Sequence, residues 1–184
     1  MSIAAAKDRV PSGVTEESKG FESRWYAAQT RSRHEKSVSE QLRCRDIDFF
    51  LPTYESVRRW KNGSHKVQLP LFPGYTFVRI ALRDRLNVLK VPGLVRLVGF
   101  NGKPIPLQDH EFENLRNAVI NGIGAQPHPY LAAGRPVQIA RGPLAGLRGT
   151  FVRRKGRCKV VISLDLIQRA VSVELHPADL QTIA

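Results

Sequence analysis

Cysteine is nearly absent: Cys44 and Cys158 are the only two among 184 residues. Two thiols build neither a disulfide framework nor a four-cysteine metal site, and they suit a reducing, cytoplasmic setting. Long apolar runs are missing too. None approaches the roughly 18 residues of a membrane-spanning helix, and residues 1–23 lack the apolar stretch of a secretory leader. Catalytic signatures are equally scarce. His34, His65, His110, His128 and His176 are scattered, with no pair at zinc-site spacing. Neither a P-loop nor a nucleophile elbow occurs. Asp46 and Asp48 are too few carboxylates for a metal-dependent nuclease. No catalytic residue, metal or cofactor is expected, which leaves a binding protein.

Positive charge is what the chain has in surplus. Lys and Arg total 29 against 16 Asp and Glu, a net +13. A basic surface lowers the free energy of approach to a phosphate array, so nucleic acid is the first partner class and an anionic membrane the second. Hydrophobic residues at 42% and charged residues at 24% are close to the globular average, so most of the chain folds.

Residues 1–23 are polar and mixed in charge, and read as a disordered leader. Structure begins at Trp25, with Trp25–Thr30 as a strand. A helix follows over His34–Cys44, with Val38 and Leu42 one turn apart. Phe49–Tyr54 reads as a second strand, marked by Pro52 as an edge or a strand end. Asn62-Gly63 signals a tight hairpin turn flanked by cations. Leu71–Ile80 resumes the sheet. Leu82, Leu86 and Leu89 fall at helical spacing before Pro92-Gly93, and Val95–Phe100 is another strand. Asp109 suits a helix N-cap, with Phe112, Leu115 and Val119 as the buried stripe. This order predicts an α+β fold, helices packed on a mainly antiparallel sheet.

Residues 122–133 break every period and read as a linker. Beyond it only short strands remain: Val137–Ala140, Gly149–Val152, Lys159–Leu164 and Ala170–Glu174. They predict a small C-terminal β-barrel. The chain is thus divided into a leader (1–23), a first domain (24–121), a linker (122–133) and a second domain (134–184). The first domain has 17 basic and 9 acidic side chains, the second 9 and 3. Both are basic.

The stretch Gly134-Arg135-Pro136-Val137-Gln138-Ile139-Ala140-Arg141-Gly142-Pro143, continuing through Gly146 and Gly149 to Val152, resembles a KOW motif. Its glycines allow tight strand connections and bring bare backbone close to a partner. In the first domain, Trp25-Tyr26, Leu51-Pro52-Thr53 and Phe72-Pro73-Gly74-Tyr75 resemble the N-terminal domain of NusG-type transcription elongation factors. Val91-Pro92-Gly93, Pro104–Leu107 and Val173-Glu174-Leu175 fit the same pattern. The resemblance covers residues 24–184. It implies a NusG-type antiparallel sheet with packed helices, followed by a KOW barrel. Its partners would be the clamp helices of RNA polymerase, non-template DNA, and through the KOW domain nascent leader RNA, a small-subunit ribosomal protein or Rho. A monomer without catalytic chemistry is implied. The run from Leu71 to Phe77 and the basic charge look closer to the specialised antiterminator paralogs, those like RfaH, LoaP and UpxY, with housekeeping NusG as the alternative.

On that resemblance, Trp25, Tyr26, Phe72, Pro73, Tyr75 and Phe77 would contact polymerase, since a persistent grip needs desolvated aromatic anchors. For Phe77 a place in the core beneath the helices is an equal alternative. Arg31, Arg33, Arg83 and Arg85 would face DNA and the clamp gate. Arg58, Arg59, Trp60, Lys61 and Lys66 form a basic hairpin for nucleic acid, with Trp60 available to stack on a base. In the second domain Arg148, Arg153, Arg154, Lys155, Arg157 and Lys159 suit a phosphate backbone. Ile167 stands where a ribosome-directed KOW domain usually presents an aromatic residue. Gly146, Gly149 and Gly156 oppose a helical alternative for this domain.

Overall fold

A computed structural model describes residues 21–60, 63–120, 125–128, 135–142, 144–154, 157–175 and 179–182. The expectations for Lys61, Lys155 and Gly156, and nearly all of the leader, fall outside them. The first domain is organised by period-two alternation along two central strands. In β1 (Arg24–Thr30) Trp25 and Ala27 face one side and Tyr26 and Ala28 the other, and β5 (Tyr75–Ile80) pairs with it antiparallel, Ala27 opposite Phe77. The strands β2 (Asp48–Phe50) and β6 (Leu94–Leu97) flank them, in the order β2-β5-β1-β6. Because β1 and β5 carry apolar side chains on both faces, both faces must be covered.

One face is covered by α1 (Glu35–Arg43) and the short α2 (Arg85–Leu89). Val38, Leu42 and Val88 pack there against Tyr26, Ala28, Val78 and Ile80. The leucine stripe expected before Pro92 is not the buried one: Leu86 is 58% exposed, and Val88 and Val91 enter the core. A single turn of 3-10 helix (Leu82–Asp84) precedes five α-helical residues, so an uninterrupted helical spacing through Leu82 does not hold. The opposite face is covered by α3 (Asp109–Ile120), where Phe112, Leu115 and Ala118 are buried. Phe112 sits at the centre of an aromatic cluster. It stacks on Trp25 at 4.3 Å and meets Phe77 at 5.6 Å and Phe50 at 5.8 Å edge-on, arrangements that add to simple area burial.

The expected strand Phe49–Tyr54 is two elements. Pro52 has no N–H for a ladder, and its carbonyl accepts from the Leu71 N–H at 2.9 Å. Beyond it, β3 (Thr53–Trp60) and β4 (Gly63–Pro70) form a separate two-stranded ribbon. Trp60 pairs with Gly63, which opens β4; the expected turn residue Asn62 lies outside the described residues. A small hairpin, β7 (Gly99–Phe100) with β8 (Lys103–Pro104), completes this part of the chain.

The C-terminal strands form one antiparallel sheet in the order β14-β10-β11-β12-β13-β9, where β9 is Gln126–His128, β10 Arg135–Ile139, β11 Arg148–Arg154, β12 Arg157–Leu164, β13 Arg169–Leu175 and β14 Leu180–Thr182. The stretch read as a linker therefore contributes a strand, β9 pairing with β13. Val160, Val161 and Ile162 are buried in succession, as are Ala170–Val173, so both faces of β12 and β13 are covered. Helix α3 lies against β12, and one hydrophobic cluster runs from Phe72, Phe77 and Phe112 to Val137, Val160 and Val173.

Candidate functional site

The aromatic set read from Trp25 to Phe77 divides by burial. Tyr26 and Phe72 are 1% exposed and Phe77 0%. All three are core residues here, a correction to the expected contact-surface place of Tyr26 and Phe72, while Phe77 takes the core alternative. The cause for Tyr26 and Phe77 is that β1 and β5 are interior strands covered on both faces. Phe72 lies just before β5 and packs edge-on against Phe77 at 5.6 Å. Burial raises the Tyr26 phenol above its usual value, with Arg24 opposing and Glu22 adding to the shift. Trp25 and Tyr75 are half-buried and Pro73 is exposed.

The loop that carries Pro73 is held by hydrogen bonds. The Thr30 N–H donates to the Gly74 carbonyl at 2.8 Å, and the Tyr75 N–H to the Phe72 carbonyl at 3.0 Å. The Gly74 N–H donates to Oε1 of the buried Glu35 at 2.7 Å. Gly74 has φ +83, a conformation that a side chain would strain. This anchoring keeps Pro73 and Tyr75 at the surface next to the aromatic core.

Arg31, Arg33, Arg83 and Arg85 are all exposed. The first two lie on the loop entering α1 and the others at the start of α2, and both helices cover the same face of the sheet. Arg83 is engaged already, 3.6 Å from Asp84 and over the Phe21 ring at 4.9 Å. Arg33 adopts a left-handed φ of 64, which is uncommon for a residue with a long side chain.

Alternation splits the β3–β4 ribbon into two faces. Tyr54, Ser56, Arg58 and Trp60 share one, opposite Leu69, Val67 and His65 on β4. Trp60 is 60% exposed and its ring lies 5.1 Å from that of His65. Glu55 and Arg59 take the other face, with Lys66 bonded to Glu55 at 3.0 Å. Of the hairpin cations, Lys66 has an ion-pair partner in Glu55, and Lys66, Arg58 and Arg59 are all exposed. At the root of the ribbon is a cavity of about 450 Å³ lined by Arg33, Lys36, Tyr54, Arg58, Pro70 and Pro73 among others. Sequence reading passed over Tyr54 and Lys36. The period-two spacing of Tyr54, Arg58 and Trp60 was the available signal.

In the C-terminal sheet Arg148 is exposed, whereas Lys159 bonds to Glu174 at 3.1 Å. Arg153 pairs with Cys158 and Arg154 with Arg157 across β11 and β12. Those four side chains, with Lys155, lie outside the described residues. Ile167, the candidate partner contact that stands where an aromatic is usual, is 7% exposed and belongs to the shared hydrophobic cluster, so it is not presented at the surface here. It follows Asp165 on a 3-10 turn. Desolvation first, then the charge of Asp165, raises the Glu111 carboxyl on α3, so this turn lies near the helix. Among the described residues no three His, Cys, Asp or Glu side chains group as a metal site, and no helix is long and apolar enough to cross a membrane.

The family model described as transcription termination factor nusG matches residues 23–116. The transcription termination/antitermination protein NusG of Helicobacter pylori is 28% identical over 172 residues, spanning 86% of this chain and 98% of that protein. Its namesake in Escherichia coli is 30% identical, spanning 83% and 92%. The solved NusG of Thermotoga maritima superposes with a TM-score of 0.54 at 21% identity, covering 89% of this chain and 98% of that one, a likeness of fold.

Proposed function

The chain belongs to the NusG family of transcription termination and antitermination factors, and from that premise we propose that it binds RNA polymerase through its first domain (24–121), joined by the 122–133 segment to a KOW domain (134–184) that engages a second partner. The observation that carries this reading is the anchored loop at Gly74. It leaves Pro73 exposed and Tyr75 half-buried beside an aromatic core, an arrangement suited to a preorganised apolar contact. Trp25 contributes from the neighbouring strand. Arg31, Arg33 and Arg85, with Arg58, Arg59 and Trp60 on the ribbon, supply the contacts to DNA.

We assign the chain to the specialised antiterminator type, with RNA as the KOW partner. The burial of Ile167 in the cluster supports this, because a ribosomal contact through that residue requires it to be uncovered first. Arg148, exposed at the start of β11, needs no such opening. The Thermotoga maritima NusG structure is one of a domain interaction. Here α3 lies against β12, and release of the second domain would precede any contact through Ile167. Housekeeping coupling to the ribosome or Rho is the second reading, favoured by similarity to proteins named NusG along both domains.

Capture of polymerase by the tagged full chain tests the first claim. Polymerase is expected to co-purify with wild type and to be lost with Tyr75→Ala. Equal capture by both would refute the contact surface. Sequencing of the bound RNA separates the KOW readings: enrichment of structured leader RNA supports the specialised type, and co-purification of ribosomal subunits without such enrichment supports coupling.

A further inference from the structure

We infer that β9 is a clasp on the connector between the two domains. By pairing with the edge of β13 it shortens the tether and holds the second domain docked on α3, and its unpairing sets that domain free. The clasp works in the same way whichever partner the second domain takes. Ala170–Val173 of β13 are buried in succession, and β12 pairs along one side of the strand only. Without β9 the other side would present a row of unpaired N–H and C=O groups. The strand that covers this edge comes from the stretch between the domains. His128 stands opposite Ala170, Pro127 opposite Val171 and Gln126 opposite Ser172. Ala125, just before them, is 8% exposed and joins the shared hydrophobic cluster.

The hold is slight. Hydrogen-bonded and non-bonded pairs alternate along an antiparallel ladder. Pro127, at the centre of β9, has no N–H, so the bonded pairs are Gln126 with Ser172 and His128 with Ala170. Gln126 and Pro127 are exposed and His128 only half-buried, so little apolar area reinforces the ladder. The proline also leaves the outer side of β9 without a donor at its centre, which suits a strand that ends the sheet. Leverage comes from chain length. Five residues, 121–125, separate the end of α3 at Ile120 from Gln126, and fourteen, 121–134, separate it from β10 at Arg135. Fully extended, these stretches reach about 20 Å and about 50 Å. Closure becomes less probable as the three-halves power of length, so unpairing β9 disfavours docking about fivefold through the tether alone. Loss of the two bonded pairs adds to that. The 3-10 turn that carries Ile167 leads into β13, and His128 pairs with the second residue of that strand. Unpairing therefore also uncovers the root of this turn.

The test is pulsed EPR on the full chain, with nitroxide labels on the exposed Cys44 and on Gln181→Cys in a Cys158→Ser background. With β9 intact, one narrow distance between the labels is expected. Gln126→Pro combined with His128→Pro removes both ladder donors while keeping the segment extended. It should raise the undocked-to-docked ratio, read from a broad component at longer distance, by more than about fivefold. Inserting nine Gly and Ser residues between Ile120 and Ala125 gives the tether its unclasped length without touching β9. It should raise the same ratio by about fivefold while the Gln126 and His128 amides stay slow to exchange. Thermal unfolding by circular dichroism checks that both variants fold, and the insertion decides the matter if the proline variant does not. A ratio within about twofold of the parent in either folded variant would overturn the inference. So would a parent chain that already gives the broad distribution. Polymerase capture plays no part in this readout, so its failure would overturn the proposed function and leave the clasp standing.

Discussion

Replacing Phe72 by alanine is expected to damage the fold before it reports on any partner. The side chain is 1% exposed and packs edge-on against Phe77 at 5.6 Å. Burying an aromatic ring removes about 150 Å² or more from water. At about 25 cal/mol per Å² the transfer contribution alone is close to 4 kcal/mol. Losing the ring pair adds about 0.5–1.5 kcal/mol, while the area alanine still buries and partial collapse of the void bring the sum back to the 3–5 kcal/mol typical of Phe→Ala in cores. Against a total stability of about 5–15 kcal/mol, that is a large share. With a urea dependence of about 2 kcal/mol per molar, the midpoint should fall by roughly 2 M. Trp60→Ala, at a site 60% exposed, should shift it by less than about 0.3 M. Urea unfolding followed by circular dichroism measures both. A Phe72→Ala midpoint within about 0.3 M of wild type would refute the burial argument and return Phe72 to the contact surface.

Three further outcomes follow from the packing. Burial and the charge of Asp165 raise Glu111 above its ordinary value of 4.5, so the folded state favours the protonated carboxyl. That contribution is complete below the ordinary value and is lost as pH rises through the raised one. Glu111→Gln should therefore increase stability at neutral pH and leave it unchanged near pH 3 to 4, whereas an equal change at all pH values would contradict the assignment. Gly149→Ala should cost about 1–3 kcal/mol in thermal or urea unfolding, because an added Cβ would lie 2.5 Å from Val160 Cγ1 and 2.7 Å from the Val161 carbonyl oxygen. A wild-type midpoint would mean that β11 and β12 are not so closely apposed. With α3 against β12, NMR relaxation should give both domains one rotational correlation time, and two distinct times would contradict the contact.

Alternation and breakers made much of the fold legible. Trp25–Thr30 is a strand, Val38 and Leu42 are the buried pair of α1, and Phe112 and Leu115 anchor α3. The four strands read after residue 134 are all present. What escaped was tertiary. Strand β9 has two exposed residues of three and a proline, so nothing local distinguishes it from a loop until β13 pairs with it. Val88 displaced Leu86 in the core because α2 is too short for an extended stripe to choose its face. In the candidate site, the exposed cations were legible from charge. The split between Phe72 and Pro73, neighbours of opposite burial, was not, because family likeness names positions and burial depends on what covers them. Glu35 illustrates the limit well: an acid in the first turn of α1 turns out to fix the loop at Gly74.

The central claim is that this chain acts on elongating RNA polymerase, and single-round transcription with purified bacterial polymerase tests it most directly. The prediction is that saturating wild-type protein shortens pauses and increases full-length transcript, while Tyr75→Ala, folded by circular dichroism, does not. A transcript profile identical with and without the wild-type protein, on a leader template that supplies the KOW partner, would contradict the account.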